Sequence, residues 1–255
     1  MEKVNTSMNT IYTCDIKINP IGIDKISDIT EQWLLEGRKG LQITGVNIEQ
    51  IAYTQKYPEF KEYLNNSDIV NIDGISVCWY LKLKGFKIEG RALCADIFQR
   101  LLENANNNNR SIYLLGATQE TIECLTKVIS SKYKSINIAG YHNGYFKDEQ
   151  EVINDIAMKH PDYLFIGMPS PFKERFIASN KNILQSGVCL GVGGMFDILA
   201  GNVKRAPKGV QQLGLEWLYR ITQNPIKHTQ RVWRALLPCC HIFLKNLFKP
   251  RKQTF

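Results

Sequence analysis

The residues best placed for chemistry stand where β-rich runs of the chain stop. Asp73-Gly74 closes the run Asp68-Ile-Val-Asn-Ile72. A carboxylate that ends a buried strand and precedes glycine is positioned to accept a proton from a bound hydroxyl. The same side chain is equally suited to cap a helix starting near Ile75, and spacing leaves both readings open. Other run ends carry Thr44-Gly-Val-Asn47, Gly116-Ala-Thr-Gln119, Gly167-Met-Pro-Ser-Pro171, and Gly191-Val-Gly-Gly194 followed by Asp197. Glycines there let backbone amides approach a phosphate, and the helix N-termini behind them favour anions. Gly191–Gly194 suits a tight turn as readily as a phosphate cradle. Asp197 suits a sugar or ribose hydroxyl, a helix cap, or an ion pair with Arg205. Neither G-x-x-x-x-G-K-[ST] nor G-x-G-x-x-G occurs, so a P-loop and the standard dinucleotide fingerprint are absent.

The elements that must position these residues alternate. Strand candidates are Gly40–Thr44, Asp68–Ile72, Ser111–Leu115, Ile136–Ala139, Asp162–Ile166 and Val188–Val192. Helix candidates lie between them at Glu49–Tyr57, Ile75–Lys84, Asp96–Glu103, Gln119–Lys132, Glu149–Lys159, Phe172–Asn182 and Phe196–Leu199. That alternation predicts an α/β fold with a parallel sheet covered by helices, whose ligands bind beyond the carboxyl ends of the strands. Asn104–Asn109 reads as a polar loop. With 255 residues, 44% of them hydrophobic and 22% charged, the composition is that of a globular protein rather than a disordered or membrane-spanning one. The opening MEKVNTSMNT has no apolar signal core, which points to the cytoplasm. Seven cysteines without a C-x-x-C pair, and four scattered histidines, suggest neither a disulfide framework nor a metal centre.

Charge divides the chain. From Lys204 onward there are eleven Lys or Arg against Glu216 alone, a surplus of +10 that leaves −2 for residues 1–203. Trp233, Leu236, Leu237, Ile242, Phe243, Leu247 and Phe248 interleave with these cations. The pattern fits an interfacial helix on an anionic membrane, with Pro238 ending or kinking it. The same segment also suits a helix packed on the body of the protein or on a sister subunit, or a tract that tracks nucleic-acid phosphates and stacks on bases.

Three segments resemble the WecG/TagA/CpsF family of bacterial glycosyltransferases. They are Asp68-Ile-Val-Asn-Ile-Asp73-Gly-Ile-Ser76; Gly140-Tyr-His-Asn-Gly-Tyr-Phe146 with Phe165-Ile-Gly-Met-Pro-Ser-Pro-Phe-Lys-Glu174; and Gly191-Val-Gly-Gly-Met-Phe-Asp197 through Asn202-Val-Lys-Arg-Ala-Pro207 to Leu213-Gly-Leu-Glu-Trp-Leu-Tyr-Arg220. The likeness runs from about Cys14 to Arg234. It implies a Rossmann-like parallel sheet flanked by helices over residues 1–203, and a basic helical appendage over 204–255 that meets the membrane and a lipid diphosphate. The implied reaction is an inverting transfer of a sugar from a UDP-sugar donor, N-acetylmannosamine-like or a related hexose or uronic acid. The acceptor would be a polyprenyl-diphosphate-linked saccharide at the inner face of the cell membrane, in cell-surface polysaccharide or teichoic acid synthesis, without a metal cofactor. By position Asp73 resembles the general base, with Thr44 and Asn47 beside it. Gly193, Gly194 and Asp197 match the nucleotide region, with Tyr141 and Tyr145 in a neighbouring loop, while Arg220, Lys227 and Arg231 match appendage cations for diphosphate.

Two positions depart from the commonest family pattern. Lys173 stands where a glutamine is frequent, a cation suited to a donor phosphate or a uronic-acid carboxylate. Cys94 replaces glycine in Arg91-Ala-Leu-Cys94-Ala-Asp96, which leaves Arg91 and Asp96 as site or structural candidates. A homo-oligomer is expected to be possible and nucleic acid is not an expected partner. A non-catalytic membrane scaffold and a nucleic-acid-binding protein are the alternatives.

Overall fold

The apolar runs form strands buried from both sides, as a parallel sheet between helical layers requires. The computed structural model describes residues 8–254. After a hairpin of β1 (Thr10–Thr13) and β2 (Ile16–Ile18) come α1 (Ile23–Leu35), β3 (Leu41–Val46), α2 (Ile48–Lys56), α3 (Pro58–Asn66), β4 (Ile69–Ile72) and α4 (Ile75–Leu83). The chain continues through α5 (Cys94–Asn107), β5 (Ser111–Gly116), α6 (Gln119–Lys132), β6 (Asn137–His142), α7 (Glu149–Lys159), β7 (Tyr163–Gly167), α8 (Phe172–Asn180), β8 (Val188–Gly191) and α9 (Met195–Leu199). It closes with α10 (Lys208–Gln212), α11 (Glu216–Gln223), α12 (Pro225–Leu247) and β9 (Lys252–Thr254).

Six parallel strands lie in the order β4-β3-β8-β7-β5-β6. The chain leaves β3 outward to β4 but enters β8 from β7 on the opposite side. A crevice beyond the strand ends is expected at such a reversal. One sheet face packs on α1, α5 and α6 through Ile43, Phe98, Leu101, Phe165 and Phe196. On the other face, Val70 and Ile72 join Phe60, Leu81, Cys239 and Ile242, and Leu164 and Ile166 join Ile153 and Phe176.

The segment from residue 204 folds back over this core. Ala235, Cys239, Ile242 and Asn246 recur at helical spacing and form the buried face of α12, which packs along α2. Phe243 stacks on Tyr80 with ring centroids 4.0 Å apart. β9 then pairs antiparallel with β1, and Gln253 Nε2 donates to Asn9 Oδ1 at 2.8 Å and to the Lys87 carbonyl at 2.9 Å.

One local expectation is overturned and a second in part. Asn104–Asn107 is the last turn of α5 rather than loop, because Leu101, Leu102 and Ala105 are buried and carry the helix through the asparagines. Pro238 does not end the helix, which runs from Pro225 to Leu247. Proline removes the donor to the carbonyl four residues before it; that carbonyl belongs to Arg234, an exposed residue, while Cys239 and Ile242 stay anchored in the core. No described helix is long and apolar enough to cross a membrane.

Candidate active site

Asp73 follows β4, the strand at one edge of the sheet, and is half-buried. Its carboxylate does not cap α4, whose N-cap Gly74 receives no side-chain bond. Oδ1 instead accepts the Cys94 N–H at 2.9 Å, satisfying a donor in the first turn of α5. Oδ2 accepts a longer bond from Asn47 Nδ2 at 3.3 Å. Arg91 holds the Asp73 carbonyl with Nε at 3.1 Å and Nη2 at 2.9 Å. Asn47 is fixed in turn as the N-cap of α2, in a capping box with Gln50. One carboxylate oxygen is thus tied into the fold by a short bond and the other has a weaker partner.

Gly45 makes this packing possible. A Cβ there would lie 2.3 Å from Cys94 Sγ and 3.0 Å from Asp73 Cβ. Gly45→Ala is expected to lower stability by about 1–3 kcal/mol through overpacking, seen as a Tm drop of about 2–4 °C per kcal/mol. Burial, then the Asp73 charge, pushes the Cys94 thiol well above its usual range. Its backbone N–H, not a thiolate, is therefore what Cys94 offers the site.

Lys173 sits in a buried polar cluster beside this pair. Its stem lies against Gly191, where a Cβ would meet Cδ at 2.8 Å, and its ammonium pairs with Glu174 at 2.5 Å and bonds Ser170 Oγ. Ser170 also donates to Glu174 Oε1 at 2.7 Å and accepts from Gln50 Nε2 at 2.8 Å. Glu174 is only 1% exposed, so the lysine is the counterion that makes its burial tolerable. The Cys94 thiol feels Asp73, Lys173 and Glu174 alike, so the two clusters adjoin.

The C-terminal segment adds arginines. Gly214, at φ +73, backs onto Ile75, so the turn between α10 and α11 covers the start of α4 next to Asp73. From α11, Arg220 reaches within 3.9 Å of the position a Gly194 Cβ would take, and its guanidinium donates no hydrogen bond among the described residues. Burial, then the neighbouring Arg231, lowers its pKa, while Glu216 and Asp73 pull the other way. Arg231, from α12, grips Glu49 with Nε at 2.9 Å and with Nη2. Burial, then the Glu49 carboxylate, pushes Tyr53 up to about 12. Arg205 pairs with Asp96 and, at 3.6 Å, with Glu216. Of the three readings of Asp197, the ion pair with Arg205 is therefore not the one formed, and Asp96 has a structural partner.

Other sequence candidates are placed differently. Thr44 is 4% exposed and bonds Ser67 Oγ at 2.9 Å, on the strand face opposite Gly45 and Asp73. The structure does not bring it to the carboxylate. Gly193, at φ +54, and Gly194 form the turn after β8, and Asp197 lies in the first turn of α9. Tyr141 and Tyr145 are exposed at the far sheet edge, although their loop leans over β5, with Gly144 N–H donating to the Ala117 carbonyl at 2.9 Å. The Lys227 side chain lies outside the described residues. Gln50, Ser170, Glu174 and the Cys94 amide were not singled out from sequence, because their contacts join segments as far as 120 residues apart. Among the described residues, no group of three or more His, Cys, Asp or Glu side chains is placed to hold a metal ion.

An oriented carboxylate with arginines drawn towards it, at the strand ends of a doubly wound α/β sheet, forms a site whose chemistry suits an anionic ligand. The chain matches the Glycosyl transferase WecG/TagA/CpsF family model over residues 11–253, and it belongs to that family of glycosyltransferases. It is 34% identical to the N-acetylglucosaminyldiphosphoundecaprenol N-acetyl-beta-D-mannosaminyltransferase of Bacillus subtilis (strain 168), over 89% of this chain and 88% of the relative. The proteins of the same name from Bacillus spizizenii and Staphylococcus aureus (strain MW2) are 33% and 30% identical, covering 81% and 99% of this chain and 79% and 96% of their own lengths.

Proposed function

We propose that this glycosyltransferase moves a hexose from a UDP-linked donor to a saccharide carried on polyprenyl diphosphate, with inversion, at the inner face of the cell membrane in cell-surface polysaccharide or teichoic acid assembly. The observation that carries the reading is that Arg220, beside Gly194, and Arg231, on Glu49, both lie near enough to Asp73 to feel its charge. The activities for which the relatives are named support both the acceptor class and an N-acetylmannosamine-like sugar. Lys173 is already matched by the buried Glu174, which favours a neutral N-acetylhexosamine over a uronic acid.

In this mechanism the acceptor hydroxyl gives its proton to Asp73 Oδ2, the oxygen with the weaker partner, while its oxygen attacks the anomeric carbon. The bond from that carbon to the diphosphate breaks on the opposite face, and UDP leaves with the electron pair. Arg220 and the amides of Gly193 and Gly194 meet the growing charge. Because arginines supply that charge, turnover in excess EDTA is expected to match turnover without it. A loss restored by a divalent cation contradicts this assignment. The exposed stripe of α12, flanked by Arg234 and Lys245, supports docking on anionic lipid.

The test is UDP release across a panel of UDP-sugars, with a short-chain polyprenyl-diphosphate saccharide as acceptor. Acceptor-dependent release with one N-acetylhexosamine is the expected result. Failure of every donor to bind overturns the reading.

A further inference from the structure

A groove of about 490 Å³ runs between α4 and α12, within the roughly 300–1,000 Å³ range of small-molecule sites. Ser76 aside, its lining is aliphatic, aromatic or thiol, including Trp79, Leu83, Leu236, Cys240 and Leu244. Trp79 and Leu83 are 57% and 75% exposed, a large apolar area for a protein to leave in water.

Its mouth adjoins the candidate active site. Ile48 follows Asn47, which bonds Asp73, and Ser76 lies one residue beyond the Ile75 that follows Gly74. Arg231, on the same helix as Leu236 and Cys240, is held on Glu49 at that end. The far end is reached at Leu83 and Leu247, where α4 and α12 finish.

The groove is also continuous with the apolar stripe of α12. At about 100° per residue, Ile226, Trp233, Leu237 and Leu244 fall on one exposed strip, continued by Phe248. Arg234 and Lys245 border the strip on one side and the groove borders it on the other. A flat bilayer surface can meet the strip, but a recess beside it needs a slender apolar chain. The cations along the strip disfavour a second copy of the same face.

We propose that this groove takes the first isoprene units of the acceptor's polyprenyl chain, threading it from the bilayer so that its diphosphate is delivered to Arg231. The inference rests on the polyprenyl-diphosphate reading above and adds a site for the chain itself. Held this way, the lipid enters the site in a defined direction, and chain length contributes to affinity even without a membrane.

The test is calorimetric titration of the full-length protein with prenyl diphosphates of two and four isoprene units, without vesicles or detergent. The longer chain is expected to bind at least about tenfold more tightly, since each buried methylene adds affinity. Cys240→Trp, at an exposed position in the groove wall, removes that gain, as does Ser76→Trp. Phe248→Ser, on the outer strip, keeps it. Equal affinities for the two chains, no binding of the longer one, or a gain that survives both groove substitutions overturns the proposal, as does a gain lost in Phe248→Ser. Sugar transfer is not part of this readout, so a chain that binds in a protein that transfers no sugar refutes the proposed reaction and leaves the groove standing.

Discussion

Asp73→Asn is expected to lower kcat by about 10²–10⁴-fold, the usual contribution of a positioned base, while donor affinity stays near that of the wild type. The substitution is close to isosteric. The new amide oxygen can still accept the Cys94 N–H, and only the weaker bond from Asn47 Nδ2, at 3.3 Å, must rearrange. The fold therefore has little reason to suffer beyond the roughly 1 kcal/mol of one altered hydrogen bond. Single-turnover transfer with a donor-binding control separates the two effects. Wild-type turnover in the mutant removes Asp73 from the chemistry, whereas a Tm collapse assigns it to architecture alone.

Arg220→Ala is expected to have the second largest effect, a loss of about 10²–10³-fold in kcat, as for removal of one preorganised donor to developing charge. The physical argument is the cost already built into the site. Arg220 is half-buried, carries no hydrogen-bonded counterion, and stands close enough to Arg231 for its own pKa to be lowered. Such a cation weakens the free protein and is compensated when an anion arrives. Arg220→Ala should accordingly leave Tm unchanged or raise it, and Arg220→Lys should recover part of the activity without the fork geometry of arginine. A large drop in Tm together with wild-type turnover assigns the residue to packing instead.

Much of the sheet was legible because a strand covered on both faces must be apolar along its length. Ile69–Ile72 and Val188–Gly191 are buried at every residue, and both runs stood out in the sequence. Asp73 was legible for the same reason: polarity resumes where the buried strand ends. Thr44 was misplaced by one step of the strand period, since side chains alternate faces and Gly45, not Thr44, faces Asp73. The hairpin of β1 and β2, and β9 which joins it, were not anticipated; these strands span only three or four residues, and their pairing links opposite ends of the chain. Helix α1 was also missed, although Ile26, Thr30 and Leu34 mark its buried face at helical spacing. The continuity of α12 was hidden by Pro238, whose local cost is outweighed by the packing of Ala235, Cys239 and Ile242. The cluster of Gln50, Ser170, Lys173 and Glu174 left no local pattern, because it is assembled from α2 and the start of α8 only when the sheet forms.

The most direct test of the account is the anomeric configuration of the newly formed linkage, read by NMR on the product made from a UDP-N-acetylhexosamine of known anomer. Direct displacement, with Asp73 taking the acceptor proton and Arg220 holding the departing diphosphate, predicts a single product of opposite configuration to the donor. A product that keeps the donor's configuration requires two displacements, and with them a nucleophile on the other face of the sugar that the arrangement around Asp73 does not supply; that result contradicts the account.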